Sequence, residues 1–384
     1  MRGRSLPFVR LFRVRTFAFG AVVFALTAAG CISSESWEAV RVLNDVIARG
    51  EPSDLKAMTP PPSRSEVRFA VEGRAHLADL YHPNQPIGAK LVLIPGFTQY
   101  GKDDARLVDL ATSLSRARFM VLVPNLTGSR EIRVRLDDAD DIADALAYLS
   151  QIEPRDGDGR VGIAAISYAV VLAVQATERP RAKDKTGFVV GIGGFQDTAA
   201  IITFMTTGRY RVPGETAWRT GNPLPAAKWL FLGTNLEAVA DPFDHEALRA
   251  IADRRSREPN AMVDDLTRSL RPEGRALWEL LSNTETERVP ALLAALSPGV
   301  RRQMDGFALK GRDLSHLKGR LILIHGSEDT MIPHSESMAL ANAVPGTELY
   351  VIDGFSHIDP THTPILGQLQ LIDAVQAVLR RRTH

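Results

Sequence analysis

Arg160-Val-Gly-Ile-Ala-Ala-Ile-Ser167-Tyr-Ala-Val-Val-Leu-Ala-Val-Gln-Ala176 reads as a buried strand, a sharp turn and a buried helix. The strand Arg160–Ile163 is short and mostly apolar, and it leads directly towards Ser167. Beyond Tyr168 the chain is apolar again as far as Ala176, with Gln175 the one exception. Serine is a poor nucleophile unless a base removes its proton, and it must stand clear of the chain to meet a carbonyl. A tight strand-to-helix turn exposes it, provided the residues two positions before and after are small. Ala165 and Ala169 occupy those positions, where glycine is commoner.

Outward from this turn, short apolar runs alternate with helical stretches. Leu91–Ile94, Phe119–Val123, Gly187–Ile192, Leu321–Ile324 and Glu348–Ile352 read as further strands. Helices are expected over about 104–116, 137–150 and 366–381, and after Ser167 to about Thr177. Val67–Ala70 and Ala75–Tyr81 read as two strands around a turn at Glu72-Gly73. Apolar strands alternating with helices predict an α/β fold with a mainly parallel sheet covered on both faces. The interval from Phe195 to His316 breaks the rhythm. Helices are expected near 243–257, 261–270, 272–282 and 289–304, with no buried strand, as in a helical cap inserted between core strands.

Two later segments complete the chemistry. Leu321-Ile-Leu-Ile-His-Gly-Ser-Glu-Asp329 places an acid just after one strand. Leu349-Tyr-Val-Ile-Asp-Gly-Phe-Ser-His357 places a histidine just after the last. With the Ser167 turn, these segments resemble the α/β-hydrolase superfamily, over about 65–194 and 317–381. The resemblance implies a catalytic triad of Ser167, Asp329 and His357, in that superfamily's chain order. His357 would take the Ser167 proton and later pass it to the leaving group, with Asp329 orienting the imidazole. The resemblance also implies an oxyanion hole from the backbone N–H groups of Phe97 and Tyr168. Pro95 stands where histidine is more usual. Asp197 and Glu328 remain alternative acids. His334 and His362 read as exposed loop histidines, and His325 as a core or turn residue. Asp156-Gly-Asp-Gly reads as a turn, since a calcium loop needs further ligands.

The first residues differ in kind. Arg2, Arg4, Arg10, Arg13 and Arg15 precede an apolar run from Thr16 to Gly30, then Cys31. This is a secretory signal pattern, and it resembles the lipobox of bacterial lipoproteins, with Cys31 lipidated. Ala28 stands where leucine is usual. Simple cleavage without lipidation, or a retained anchor from Thr16 to Ser34, are the alternatives. The expected organisation is a signal over 1–31, a helix and linker over 32–63, core over 64–194, cap over 195–316 and core over 317–384. In the linker helix Trp37, Val40, Leu43 and Val46 or Ile47 recur at helical spacing, and Gly50 is expected to end it. The protein is expected to be exported, anchored by lipid or helix at a membrane facing the periplasm or cell exterior.

Composition narrows the partners. In 384 residues, 46 basic side chains against 45 acidic give a net charge of +1, which offers nothing to nucleic acid. One cysteine permits no intrachain disulfide and no thiolate zinc motif. No metal, nucleotide or flavin signature is visible, so no cofactor is expected. The expected partner is a small-molecule acyl substrate, cleaved as an ester, thioester or amide through an acyl-serine. Acyl transfer, peroxide chemistry, or a non-catalytic binding role at the membrane are the alternatives. Phe204, Met205, Trp218, Trp229 and Phe231 of the cap are candidates to line an acyl pocket, although aromatics at such spacing also build cores.

Overall fold

The computed structural model describes residues 33–153, 159–357 and 363–382. The signal with Cys31, most of the Asp156 turn, and His362 lie outside the described residues. The strands are β1 (Ser63–Val71), β2 (Arg74–His82), β3 (Ala89–Ile94), β4 (Phe119–Pro124), β5 (Val161–Ile166) and β6 (Thr186–Ile192). They continue with β7 (Arg209–Tyr210), β8 (Arg219–Thr220), β9 (Leu321–Gly326) and β10 (Glu348–Ile352). Eight of them form one sheet in the order β1-β2-β4-β3-β5-β6-β9-β10. β1 and β2 are an antiparallel hairpin, and β2 runs antiparallel to β4; every pair from β4 to β10 is parallel. Glu72 and Gly73 take positive φ of 49° and 81°, the conformation a two-residue hairpin turn demands.

The central strands β3, β4, β5 and β9 are buried at almost every position, as apolar strands covered on both faces must be. Helices Asp138–Gln151 and Ala169–Thr177 cover one face. Helices Ser34–Ala48, Ala105–Arg116 and Ile365–Arg380 contribute to the core on the other. Gly191 and Gly194 allow the helix behind Ser167 to pack close: a Cβ at either would come within 2.8 Å or less of Val170.

The segment expected as a helix and linker is part of this core. Ser33 caps the helix by accepting from Ser36 N at 3.2 Å. Ala39, Val40, Val42 and Leu43 are buried in the same cluster as Leu371, Ile372 and Ala374 of the last helix. Glu38 and Arg382 add a bidentate pair at 2.6 and 2.7 Å. The helix ends at Ala48 and not through Gly50. Arg49, with φ 53°, supplies the positive-φ residue at its end.

Between β6 and β9 lies the segment expected as a helical cap. Its helices include Thr198–Thr207, Ala227–Thr234, Pro242–Arg257 and Pro272–Ser282, packed on an apolar cluster of their own. Over 261–270 only Asp264–Thr267 is α-helical, and 289–304 divides at Ser297-Pro298 into Val289–Ala294 and Pro298–Gly306. Proline favours a first helical turn and lacks the N–H that an interior needs, so the second helix starts there. The cap's two ends are tied together. The Gln196 carbonyl accepts from Leu309 N and Lys310 N at 2.8 and 3.1 Å. The Glu336 carboxyl accepts from Gln196 N and Asp197 N at 3.1 and 2.8 Å. Burial pushes the Glu336 carboxyl up to about 7, despite those two donors.

Candidate active site

Ser167 stands between β5 and the helix Ala169–Thr177 with φ 60°, a left-handed conformation uncommon for a residue with a side chain. Its own N–H donates to Ile192 O at 2.7 Å, pinning the turn to the end of β6. Gly96, in the loop after β3, lies alongside: a Cβ built on it would sit 3.6 Å from Ser167 Cβ.

Asp329 lies in the loop after β9, with Oδ1 accepting from Met331 N at 2.7 Å and Ile332 N at 2.9 Å. Oδ2 accepts from His357 Nδ1 at 2.6 Å. His357 Nε2 is 3.0 Å from Ser167 Oγ. With Nδ1–H donating to the carboxylate, Nε2 of a neutral ring is free to accept the serine proton. Burial works to raise the Asp329 pKa, yet hydrogen bonds from His325 and His357 hold it well below the usual range. Direct backbone packing brings acid and base together: a Cβ on Gly326 would lie 2.0 Å from Phe355 O. Gly193 then lies against the imidazole, where a Cβ would sit 3.3 Å from His357 Cε1.

The structure thus brings Ser167, Asp329 and His357 into one hydrogen-bonded line. The alternatives are occupied elsewhere. Asp197 caps the helix Thr198–Thr207 through Ala199 N at 2.9 Å and pairs with Lys310 at 2.7 Å. Glu328 is exposed, and its N–H bonds to Phe355 O. His334 is half-buried, not an exposed loop residue, and meets Tyr210 edge-on at 5.6 Å. His325 is more than core filling. It is fully buried, with Nδ1 2.7 Å from Ser337 Oγ and Nε2 3.0 Å from Ile332 O and 3.3 Å from Asp329 Oδ2. Its spacing of four residues from Asp329 was the available signal in the sequence.

Phe97 and Tyr168 flank the nucleophile, their rings stacked at 3.9 Å with an 8° interplanar angle. Neither backbone N–H donates to a backbone or side-chain acceptor among the described residues. The Tyr168 ring packs inward, and burial raises its hydroxyl pKa.

Ser167 and His357 open onto a cavity of about 410 Å³. Of the five cap residues proposed for its wall, Met205 and Phe231 are there. Trp229 is buried against Trp278, and Phe204 against Tyr210. Trp218 lies outside with Arg211 over its ring at 3.8 Å. Val46 and Ile47 of the first helix, and Leu107 and Leu110 of helix Ala105–Arg116, form a wall that the sequence reading did not anticipate.

Among the described residues, His76, Asp141 and Asp144 have ligand atoms near enough to share a metal ion. Arg74 and Arg181 already pair with Asp144, and Arg74 with Asp141, so the cluster fits an ion-pair network and lies apart from the cavity lining.

A mainly parallel eight-stranded sheet, a serine elbow after β5, and acid and histidine loops after β9 and β10 define the α/β-hydrolase fold. No protein-family model matches the chain, and no curated protein matches it. Solved structures of similar fold include an acylaminoacyl peptidase of Pyrococcus horikoshii, at 11% identity and TM-score 0.45, covering 85% of this chain and 43% of that one. This chain therefore spans less than half of that peptidase's length. The α/β hydrolase GrgF from Penicillium sp. sh18 is 16% identical with TM-score 0.45, covering 82% and 99% of the two chains. Est1E from Butyrivibrio proteoclasticus is 13% identical with TM-score 0.43, covering 82% and 98%.

Proposed function

We propose that this chain is a serine hydrolase that cleaves a carboxylic ester, or a related thioester or amide, through an acyl-serine intermediate. The observation that carries this reading is the line from Ser167 Oγ through His357 to Asp329, with spacings of 3.0 and 2.6 Å, at the wall of a cavity. His357 Nε2 takes the Ser167 proton as Oγ attacks the carbonyl carbon, and Asp329 stabilises the imidazolium that forms. The N–H groups of Phe97 and Tyr168 meet the developing oxyanion. His357 returns its proton to the leaving group, then activates water to release the acid and free Ser167.

Fluorophosphonate labelling of the full chain, beside Ser167→Ala and His357→Ala, tests the reading. Labelling is expected in the parent and absent in both variants, with ester turnover down by about 10⁴-fold or more. A folded parent that neither labels nor turns over small esters would leave a non-catalytic binding role. Product formed on an added alcohol in place of water would redirect the reading to acyl transfer. Export and lipidation of Cys31 are proposed alongside, on the N-terminal pattern. Among the described residues no helix is long and apolar enough to cross a membrane. Incorporation of labelled fatty acid in cells, lost in Cys31→Ser, tests the anchor.

A further inference from the structure

We propose that the substrate is an ester of a fatty acid of medium length, with its acyl chain held in the cap-side arm of the cavity. The inference rests on the serine-hydrolase reading and adds the substrate class to it.

The cavity divides by the packing of its walls. Phe195, Ile201, Met205, Ala227, Phe231 and Phe307 form a cap-side arm, and all except Phe231 are at most 8% exposed. Val46, Ile47, Leu107 and Leu110 line the opposite part, towards the other face of the sheet, where Arg49 is exposed at the edge. An acyl-serine mechanism treats the two halves of an ester differently. The alcohol must leave after the first step, while the acyl chain stays attached to Ser167 until water arrives. The uncharged arm suits the apolar part that stays, and the part that Arg49, Asp104 and Arg106 also line suits the part that departs. No basic or acidic side chain lines the cap-side arm, so a charged acyl group would be desolvated there without a partner.

Size and rim point the same way. If a methylene takes about the ~30 Å³ share of a water molecule, the whole cavity of about 410 Å³ holds on the order of a dozen heavy atoms. Around the cavity Phe97, Ile132 and Leu230 are 37%, 41% and 44% exposed and come from three different segments. Exposed apolar groups on the cavity wall fit a substrate with an apolar part. An acyl chain of about eight carbons with its two ester oxygens takes most of that space, and the alcohol extends towards the part lined by Val46 and Leu107.

The test is a matched pair of ester series with the full chain, at concentrations where the esters stay monomeric. In 4-nitrophenyl esters from acetate to palmitate, kcat/KM is expected to rise at least about tenfold from acetate to octanoate, then fall for the longest chains. In alkyl acetates from ethyl to decyl, the dependence is expected to be much shallower. Met205→Trp and, separately, Ala227→Leu narrow the arm and are each expected to lower the octanoate-to-acetate ratio at least about tenfold. The ratio reads only enzyme that turns over, so partial loss of folded protein does not enter it. A protein that labels with fluorophosphonate yet prefers acetate, or shows its length preference only among alkyl acetates, overturns the acyl assignment and leaves the hydrolase reading standing. Absence of labelling at Ser167 removes both.

Discussion

At the scale of single residues, the acid is the most heavily partnered member of the site. Asp329 receives Met331 N, Ile332 N and His357 Nδ1, and His325 Nε2 lies 3.3 Å from Oδ2. His325 is in turn held by Ser337 Oγ on one nitrogen and Ile332 O on the other. This makes His325 a positioning residue that acts through the acid. His325→Gln is expected to lower kcat/KM about 10- to 100-fold, the scale of one charge-assisted hydrogen bond of about 1.5–3 kcal/mol. The loss is expected in kcat with KM little changed, as for a group that acts on the chemical step and not on substrate binding. Activity that falls only with the folded fraction would reduce His325 to packing.

At the scale of elements, the attachment of the cap carries its own titration. Glu336 holds the N–H groups of Gln196 and Asp197, and burial raises its carboxyl to about 7. The native state thus keeps this proton when the unfolded chain, at a pKa near 4.3, has released it. Its stabilising effect is complete below the unfolded value and is lost as pH rises towards about 7. Glu336→Gln keeps a carbonyl acceptor without the charge, so urea unfolding should show it gaining on the parent by about 1–3 kcal/mol between pH 5 and pH 8. Equal differences at both pH values would refute that assignment. Glu336 was not legible in the sequence, because its environment is made by a segment more than a hundred residues away. The central strands were legible, since β-strands covered on both faces are continuous apolar runs such as Phe119–Val123. Ser167 and Asp329 were legible because each follows such a strand, and His357 because it follows the last, half-buried edge strand β10. The cap helix Thr198–Thr207 was not, as its Thr-Ala-Ala-Ile-Ile-Thr-Phe core favours strand locally and is helical through its packing. The candidate pocket aromatics failed similarly: Trp229 and Phe231 are two residues apart, and tertiary placement alone turns one into the core and the other to the cavity.

At the scale of the whole molecule, the first described helix joins the two ends of the chain and the cavity. Ser34–Ala48 packs with the last helix through Val40 and Leu43, and its final turn brings Val46 and Ile47 to the cavity wall. In sequence it follows closely after Cys31, so the proposed anchor would join the folded body without a long intervening linker. A simple tether would bury little, and a substitution on it would stay within about 0.5 kcal/mol of neutral. Leu43 is 6% exposed in the sheet-face core. Leu43→Ala should therefore cost about 2–4 kcal/mol, the loss of transfer energy plus an incompletely collapsed cavity. In urea this is expected as a lower midpoint with an unchanged m-value, because the same surface is exposed on unfolding. A midpoint that does not move would mean that the helix lies on the body without stabilising it, and that the cavity wall formed by Val46 and Ile47 is held by the neighbouring helix Ala105–Arg116 alone.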